Sequence, residues 1–400
     1  MGAHYDEIAR LDAAYVLPTY ARKPVLFVRG EGMRLYDDDG REYLDFVSGI
    51  GAVNLGHAHP AVADAVAVQM RTLVHVSNLY QVEHRAALAE RLSDLAGGGW
   101  KAFFCNSGTE AAEGAIKLAR RWGKARRGEE CVEIVSAERS FHGRTMAALS
   151  ATGQASKQEA FAPLLPGFTH VPLNDIEALS AAITERTCAI MLEPVQGEGG
   201  VYPCDEDYLA AVRRLCDERD VLLVLDEVQT GFFRTGPAFA WQGYGVRPDV
   251  MMLAKGLANG LPAGAVLASG TAAEALGPGD HGSTFGGGPV IAAAALATID
   301  ALVAERLGEN ALATGAVLRT ALEEIATRTG AVTEVRGRGL MLAVQLAEPR
   351  AQAVAAACLE RGVVVNAIGD SIVRFLPPLV CSSTETAILT DALSAVLGAV

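Results

Sequence analysis

The apolar run VLLVLDEVQ, Val221 to Gln229, carries a carboxylate, Asp226, where a buried strand would end, and a second run, VMMLA, leads straight into Lys255. Packing explains neither charge. An unpaired ammonium or carboxylate in an apolar core costs several kcal/mol, roughly, before its pKa shifts. Both make sense if the two strands are parallel neighbours whose carboxyl ends open into a ligand crevice. A lysine beside an aspartate suits pyridoxal phosphate chemistry, with the lysine in a Schiff base to the cofactor aldehyde and the aspartate paired with the pyridinium nitrogen.

Three further segments carry chemistry-bearing side chains. FFCNSGTEAAEGAIKLAR reads as a strand, a glycine turn and a helix start, where exposed amides with Ser107 and Thr109 suit a phosphate. An ordinary capping box, Ser107-x-x-Glu110, fits the same letters. In SFHGRT, residues 140–145, Phe141 or His142 is placed to stack on an aromatic cofactor and Arg144 to grip a carboxylate; alone, a turn with a surface arginine is the simpler account. MLEPVQGEGG puts Glu193 at a strand end and Glu198 in a glycine-rich loop, where acids are usually solvated. His57-x-His59 lacks a third ligand at suitable spacing, so a turn before the helix at Pro60 is expected and no metal.

The elements that must hold these groups follow from hydrophobic patterning. Short apolar runs (KAFFCN, CVEIVSA, CAIMLEPV, VLLVLDEV, DVMMLA, AGAVLAS) alternate with amphipathic stretches between about residues 60 and 290. Continuous apolarity suits strands covered on both faces, and the interleaved helices imply parallel crossovers. Helices are predicted at 109–123, 206–219, 290–307 and 310–329. Beyond them, short strands mixed with helices at 352–361 and 384–398 predict a smaller α+β domain. RLYDDDGREYLDF reads as a hairpin around Asp39-Gly40, in a segment packing on that domain. The expected division is 1–58, 59–290 and 291–400.

Composition bounds the rest. Half of the 400 residues are hydrophobic and a fifth are charged, as in a well-packed α/β enzyme. Acidic residues outnumber basic ones, 47 to 34, for a net charge of −13, which opposes nucleic-acid or anionic-membrane binding. Seven scattered cysteines without a C-x-x-C pair suit a reducing compartment. The polar N-terminus does not read as a signal peptide, and the most apolar helix carries Asp300 and Glu305. A cytoplasmic protein is expected.

Taken together, AVNLGHAHP, NSGTEA, FHGRT, LEPVQGEGG, LDEVQTG, LAKGL, GDHGSTFGG and VNAIGDSIVRFLPPL resemble the class III, or ω-amino acid, aminotransferases of the type I pyridoxal phosphate fold, from about Tyr20 to Leu379. The resemblance implies a large domain with a mostly parallel sheet, a smaller α+β domain and a homodimer. It also implies that Lys255 binds pyridoxal 5'-phosphate, Asp226 keeps its pyridine nitrogen protonated, and Gln229 bonds its phenolic oxygen. Val228 and Phe141 would flank the ring, while Ser107, Gly108 and Thr109 hold the phosphate. Ser283 and Thr284 would reach the second subunit's site, Thr284 at the phosphate. Arg144 and Arg374 would bind substrate carboxylates, and Tyr20 would touch substrate. Since only one of two unlike substrates carries a carboxylate beside its reacting carbon, Glu198 is expected to neutralise Arg374 for the other and to swing away when that carboxylate arrives.

The implied reaction moves the δ-amino group of N2-acetylornithine to 2-oxoglutarate, giving N-acetylglutamate 5-semialdehyde and glutamate in a ping-pong cycle. Ornithine, succinyl-diaminopimelate, 4-aminobutyrate and carrier-linked aminoadipate semialdehyde transamination use the same arginines and remain rivals. A silent binding protein is opposed by Lys255 and Asp226 together, and a nicotinamide dehydrogenase by the missing G-x-G-x-x-G. Phe233 and Gly288 depart from the family's usual glycine and asparagine. Phenylalanine tolerates positive φ poorly, so a different path is expected for the 230–236 loop.

Overall fold

The computed structural model describes residues 3–398. A seven-stranded sheet occupies the centre, in the order Trp100–Cys105, Gly264–Ser269, Val250–Leu253, Leu222–Asp226, Thr187–Leu192, Glu133–Ala137, Phe168–Val171. From Val250–Leu253 to Phe168–Val171 all neighbours are parallel. Alternation along these strands sorts their side chains into two cores. Ile190, Leu192, Leu223, Leu225, Met251 and Leu253 face one side. Ala189, Met191, Leu222, Val224, Val250 and Met252 face the other, against Ala112, Ile116 and Ala119 of helix Gly108–Arg127. Burial on both faces is why these runs are apolar without a period of two.

The run AGAVLAS corrects the expectation of parallel crossovers. Gly264–Ser269 is antiparallel to both of its neighbours. Only a short 3-10 turn, Lys255–Ala258, lies between it and Val250–Leu253, and a parallel return needs a crossover of a dozen or more residues. The edge strand Phe168–Val171 and the helix Ala3–Tyr15 were not foreseen.

Beyond helices Pro289–Ala304 and Leu307–Thr329, strands Val332–Arg338, Met341–Leu346, Ile372–Phe375 and Asn366–Ile368 form an antiparallel sheet in that order. The hairpin forms with Arg34 opposite Leu44, and Gly40 takes the turn at φ 81°. Its second strand, Glu42–Asp45, also pairs with Val363–Val364, so early and late parts of the chain share one sheet.

The loop at Phe233 does not avoid left-handed backbone: Phe232 and Phe233 lie at φ 56° and 69°. Such a conformation costs a bulky residue about 1–3 kcal/mol and persists where its surroundings over-determine it. Here the Phe233 amide donates to the Ala238 carbonyl, the Gly236 amide donates to the Phe233 carbonyl, and the Phe233 ring packs on the main core. Gly288 precedes Pro289 in an extended conformation and leaves the helix without a side-chain cap.

Candidate active site

The parallel register sets Asp226 beside Met252, so Lys255 follows at the same end of the sheet. Both line a cavity of about 380 Å³. Lys255 stands at φ 43°, a left-handed position forced by the tight turn. Burial holds its amine below the ordinary lysine range, against the opposing pull of Glu198 and Asp226. An amine so depressed gives up and recovers a proton more readily than a surface lysine.

Asp226 is nearly buried and held at both oxygens. Oδ1 accepts the Val228 N–H at 3.0 Å, and Oδ2 pairs with His142 Nδ1 at 2.8 Å. Burial alone would lower the His142 pKa, but the bond to Asp226 outweighs it and raises the value. The result is a buried imidazole bonded to the carboxylate, both lining the cavity. Sequence reasoning offered His142 as a stacking ring and missed this contact, which joins two strand ends far apart in the chain.

Also lining the cavity, Ser107 caps helix Gly108–Arg127, its Oγ accepting the Glu110 N–H at 3.3 Å. Glu110 turns to the Asn106 amide at 2.5 Å, so the capping box is skewed by one residue. Among the described residues no protein acceptor takes the Gly108 or Thr109 N–H. Capping and an anion site therefore coexist, with free amides at a positive helix end. A Cβ on Gly108 would come within 2.9 Å of Val228, so only glycine lets the helix start approach that wall. The Thr109 hydroxyl accepts the Arg144 and Thr145 N–H groups, each at 3.1 Å, tying the FHGRT segment to the same helix end.

Phe141, Val228 and Gln229 also line the cavity, with Arg144 and Glu198. The Arg144 guanidinium lies 5.6 Å from the Phe141 ring centroid. Arg374, from the small sheet, is 1 % exposed and donates from Nη1 to Glu198 at 2.7 Å and Gln229 at 3.3 Å. Burial alone would raise the Glu198 pKa, but Arg374 and Lys255 hold it below the usual carboxylate range. Glu193, directly after strand Thr187–Leu192, also faces the cavity and is buried, while Glu198 in the glycine-rich loop is only half-buried, less solvated than expected.

Ser283, Thr284 and Tyr20 do not line this cavity. The Ser283 hydroxyl accepts from Asn106 Nδ2 at 3.2 Å, while Thr284 and Tyr20 are exposed. His57 bonds Asp45 at 2.8 Å and His59 bonds Glu305 at 3.0 Å, so the two histidines serve different partners.

Residues 16–397 match the family model for class III aminotransferases. The chain belongs to that family. Acetylornithine aminotransferase of Gloeobacter violaceus is 50 % identical over 93 % of this chain and 92 % of its own length. That of Methanocaldococcus jannaschii is 46 % identical over 96 % of each. Among solved structures, ornithine aminotransferase of Toxoplasma gondii superposes with a TM-score of 0.95 at 31 % identity, over 98 % of this chain and 94 % of that one. Acetylornithine aminotransferase of Elizabethkingia anophelis gives 0.88 at 32 %, over 98 % of both.

Class III aminotransferases use pyridoxal 5'-phosphate, and this cavity fits it. Free amides at a helix end suit the phosphate, a carboxylate aligned by His142 suits the ring nitrogen, and a depressed lysine suits the aldehyde.

Proposed function

We propose that this class III aminotransferase transfers the δ-amino group of N2-acetylornithine to 2-oxoglutarate. The names of its relatives support the donor, and one observation carries the site reading: buried Arg374 paired with half-buried Glu198 at the edge of the Lys255–Asp226 cavity. The domain division at 1–58, 59–290 and 291–400 and a cytoplasmic location belong to the same proposal. The seven cysteines, all free and buried, support the latter. Among the described residues no helix is long and apolar enough to cross a membrane.

When bound, pyridoxal phosphate supplies the electron sink that lets a carbon next to nitrogen lose a proton. Lys255 is the residue that binds it and then moves the proton, its amine depressed by burial. Asp226, aligned by His142 and the Val228 amide, would hold the proton on the ring nitrogen. Gly108, Thr109 and Ser107 receive the phosphate, Gln229 the phenolic oxygen, and Phe141 and Val228 flank the ring. Arg144, which lines the cavity and is exposed, takes the carboxylate remote from the reacting end.

Arg374 answers the problem of two unlike substrates. The reacting end of acetylornithine has no adjacent carboxylate, whereas that of 2-oxoglutarate does. A free guanidinium would be an unpaired buried charge in the first half-reaction. Glu198 neutralises it, and the geometry favours Glu198 as the part that leaves. Arg374 is fixed by two bonds to Asn366 Oδ1, at 3.1 and 2.7 Å, and one to the Gly197 carbonyl. Glu198 has one short bond to Arg374 and one of 3.5 Å to Gln229, and its side chain is 27 % exposed.

A panel of amino donors against 2-oxoglutarate tests the substrate, with acetylornithine expected to lead ornithine, succinyl-diaminopimelate and 4-aminobutyrate. Single-turnover rates of the Glu198→Ala holoenzyme with acetylornithine and with glutamate, each without acceptor, should shift in favour of glutamate by about tenfold or more relative to wild type, the scale of a hydrogen bond to a charged group. Equal slowing of both half-reactions would leave Glu198 structural and end the switch reading.

A homodimer with shared sites completes the proposal. It is supported by the placement of Ser283 and Thr284 outside their own chain's cavity, next to the exposed Phe285. Mixing Lys255→Ala with a disruptive Thr284 variant should restore activity in exchanged subunits, because one site of each mixed dimer then carries neither lesion. Exchange verified by mass without recovered activity would count against a composite site.

A further inference from the structure

Glu193 has no part in the steps above, yet its side chain is buried at the wall of the reacting cavity. It follows strand Thr187–Leu192, and its two oxygens point to different segments. Oε1 accepts the Phe141 N–H at 2.9 Å, and Oε2 accepts the Gly197 N–H, also at 2.9 Å. Phe141 is the ring-flanking aromatic. Gly197 precedes Glu198, and its carbonyl accepts from Arg374. One carboxylate thus spans the two walls that must keep register: the face on which the cofactor ring lies and the loop that carries the gate.

A carboxylate is required for this geometry. It is acceptor-only at both oxygens, whereas a glutamine offers one acceptor and one NH2, which would confront a backbone N–H. Aspartate is a methylene too short to reach both amides. The crowding behind the loop removes slack: a Cβ on Gly197 would sit 2.1 Å from Gln229 Oε1, so the loop lies directly against the cofactor-facing glutamine. Burial pushes the Glu193 carboxyl up to about 7, against the opposing pull of His142 and of the two N–H groups, so the group is fully an acceptor-only carboxylate above that pH.

We propose that Glu193 is a positioning residue: a strut that fixes the Glu198 loop to the Phe141 segment and thereby sets the balance between the two half-reactions. The link to balance rests on the Glu198 gate proposed above; the strut itself does not. Hydrogen exchange by mass spectrometry on the holoenzyme reads the strut without turnover. Glu193→Gln should speed exchange in peptides covering 139–145 and 194–200 together, leaving helix Glu206–Arg219 unchanged. Single-turnover rates with acetylornithine and with glutamate should then differ from wild type in their ratio by about tenfold. If the glutamine variant does not fold, Glu193→Asp carries the same readings with smaller changes, since it keeps one of the two bonds. Unchanged exchange in both segments overturns the strut, even if Glu198→Ala shifts donor preference. Coupled exchange with an unaltered rate ratio leaves the strut but overturns its role in balance. A failure of the Glu198→Ala test alone would remove the gate and leave the exchange result standing.

Discussion

Lys255→Ala is expected to abolish transamination, with a loss of at least about 10⁴-fold, the upper range for removing a positioned acid–base group, and more because the covalent anchor goes too. The fold should survive, because the lysine lies in a short turn between strands whose cores do not depend on its side chain. Shortening it to alanine also relieves nothing at the backbone, since the left-handed φ of 43° is set by the antiparallel return. Two measurements check the assignment. Borohydride reduction of the wild-type holoenzyme should leave the cofactor mass on the peptide containing Lys255. The variant should be colourless at the wavelength where the wild type is yellow. Cofactor mass on any other lysine would refute it.

Asp226→Asn should retain the phosphate site but lose about 10²- to 10⁴-fold in turnover, the range for removing one preorganised electrostatic partner. Asparagine matches the shape and fails on charge and on hydrogen-bond sense. If its single oxygen keeps the Val228 N–H, its NH2 faces His142 Nδ1, which can accept it only as the neutral ring protonated at Nε2. His142 loses the partner that raises its pKa. The effect on stability has a definite sign. A histidine pKa raised in the fold contributes stability that is fully present below about 6.5 and fades as pH climbs through the raised value. Thermal unfolding of wild type and variant should therefore differ more at mildly acid than at alkaline pH. Near-normal turnover in the variant would remove Asp226 from its role.

The ends of the buried strands were the most legible part of the site. Asp226 and Lys255 stood out because a charge after five apolar residues has few cheap explanations, and the cavity gathers both. The direction of Gly264–Ser269 was not legible, since a doubly covered strand is apolar whichever way it runs. The His142–Asp226 and Glu193 contacts were hidden for another reason. Each joins segments distant in sequence, and hydrogen-bond partners of that kind leave no local periodicity. Phe233 shows the limit of propensity: a backbone that usually calls for glycine is held by packing and two hydrogen bonds instead.

The sheet shared by Glu42–Asp45 and Val363–Val364 sets a clock on biosynthesis. The hairpin leaves the ribosome early, but the strand that closes its edge is made near the end, on the order of tens of seconds later at ordinary elongation rates. During that wait the Glu42–Asp45 edge exposes unpaired backbone next to Tyr43, Leu44 and Phe46, which the finished protein buries. The nascent chain should thus be most prone to misassociation before residue 363 emerges, and stalling the ribosome on either side of that point would expose or hide the same sticky edge.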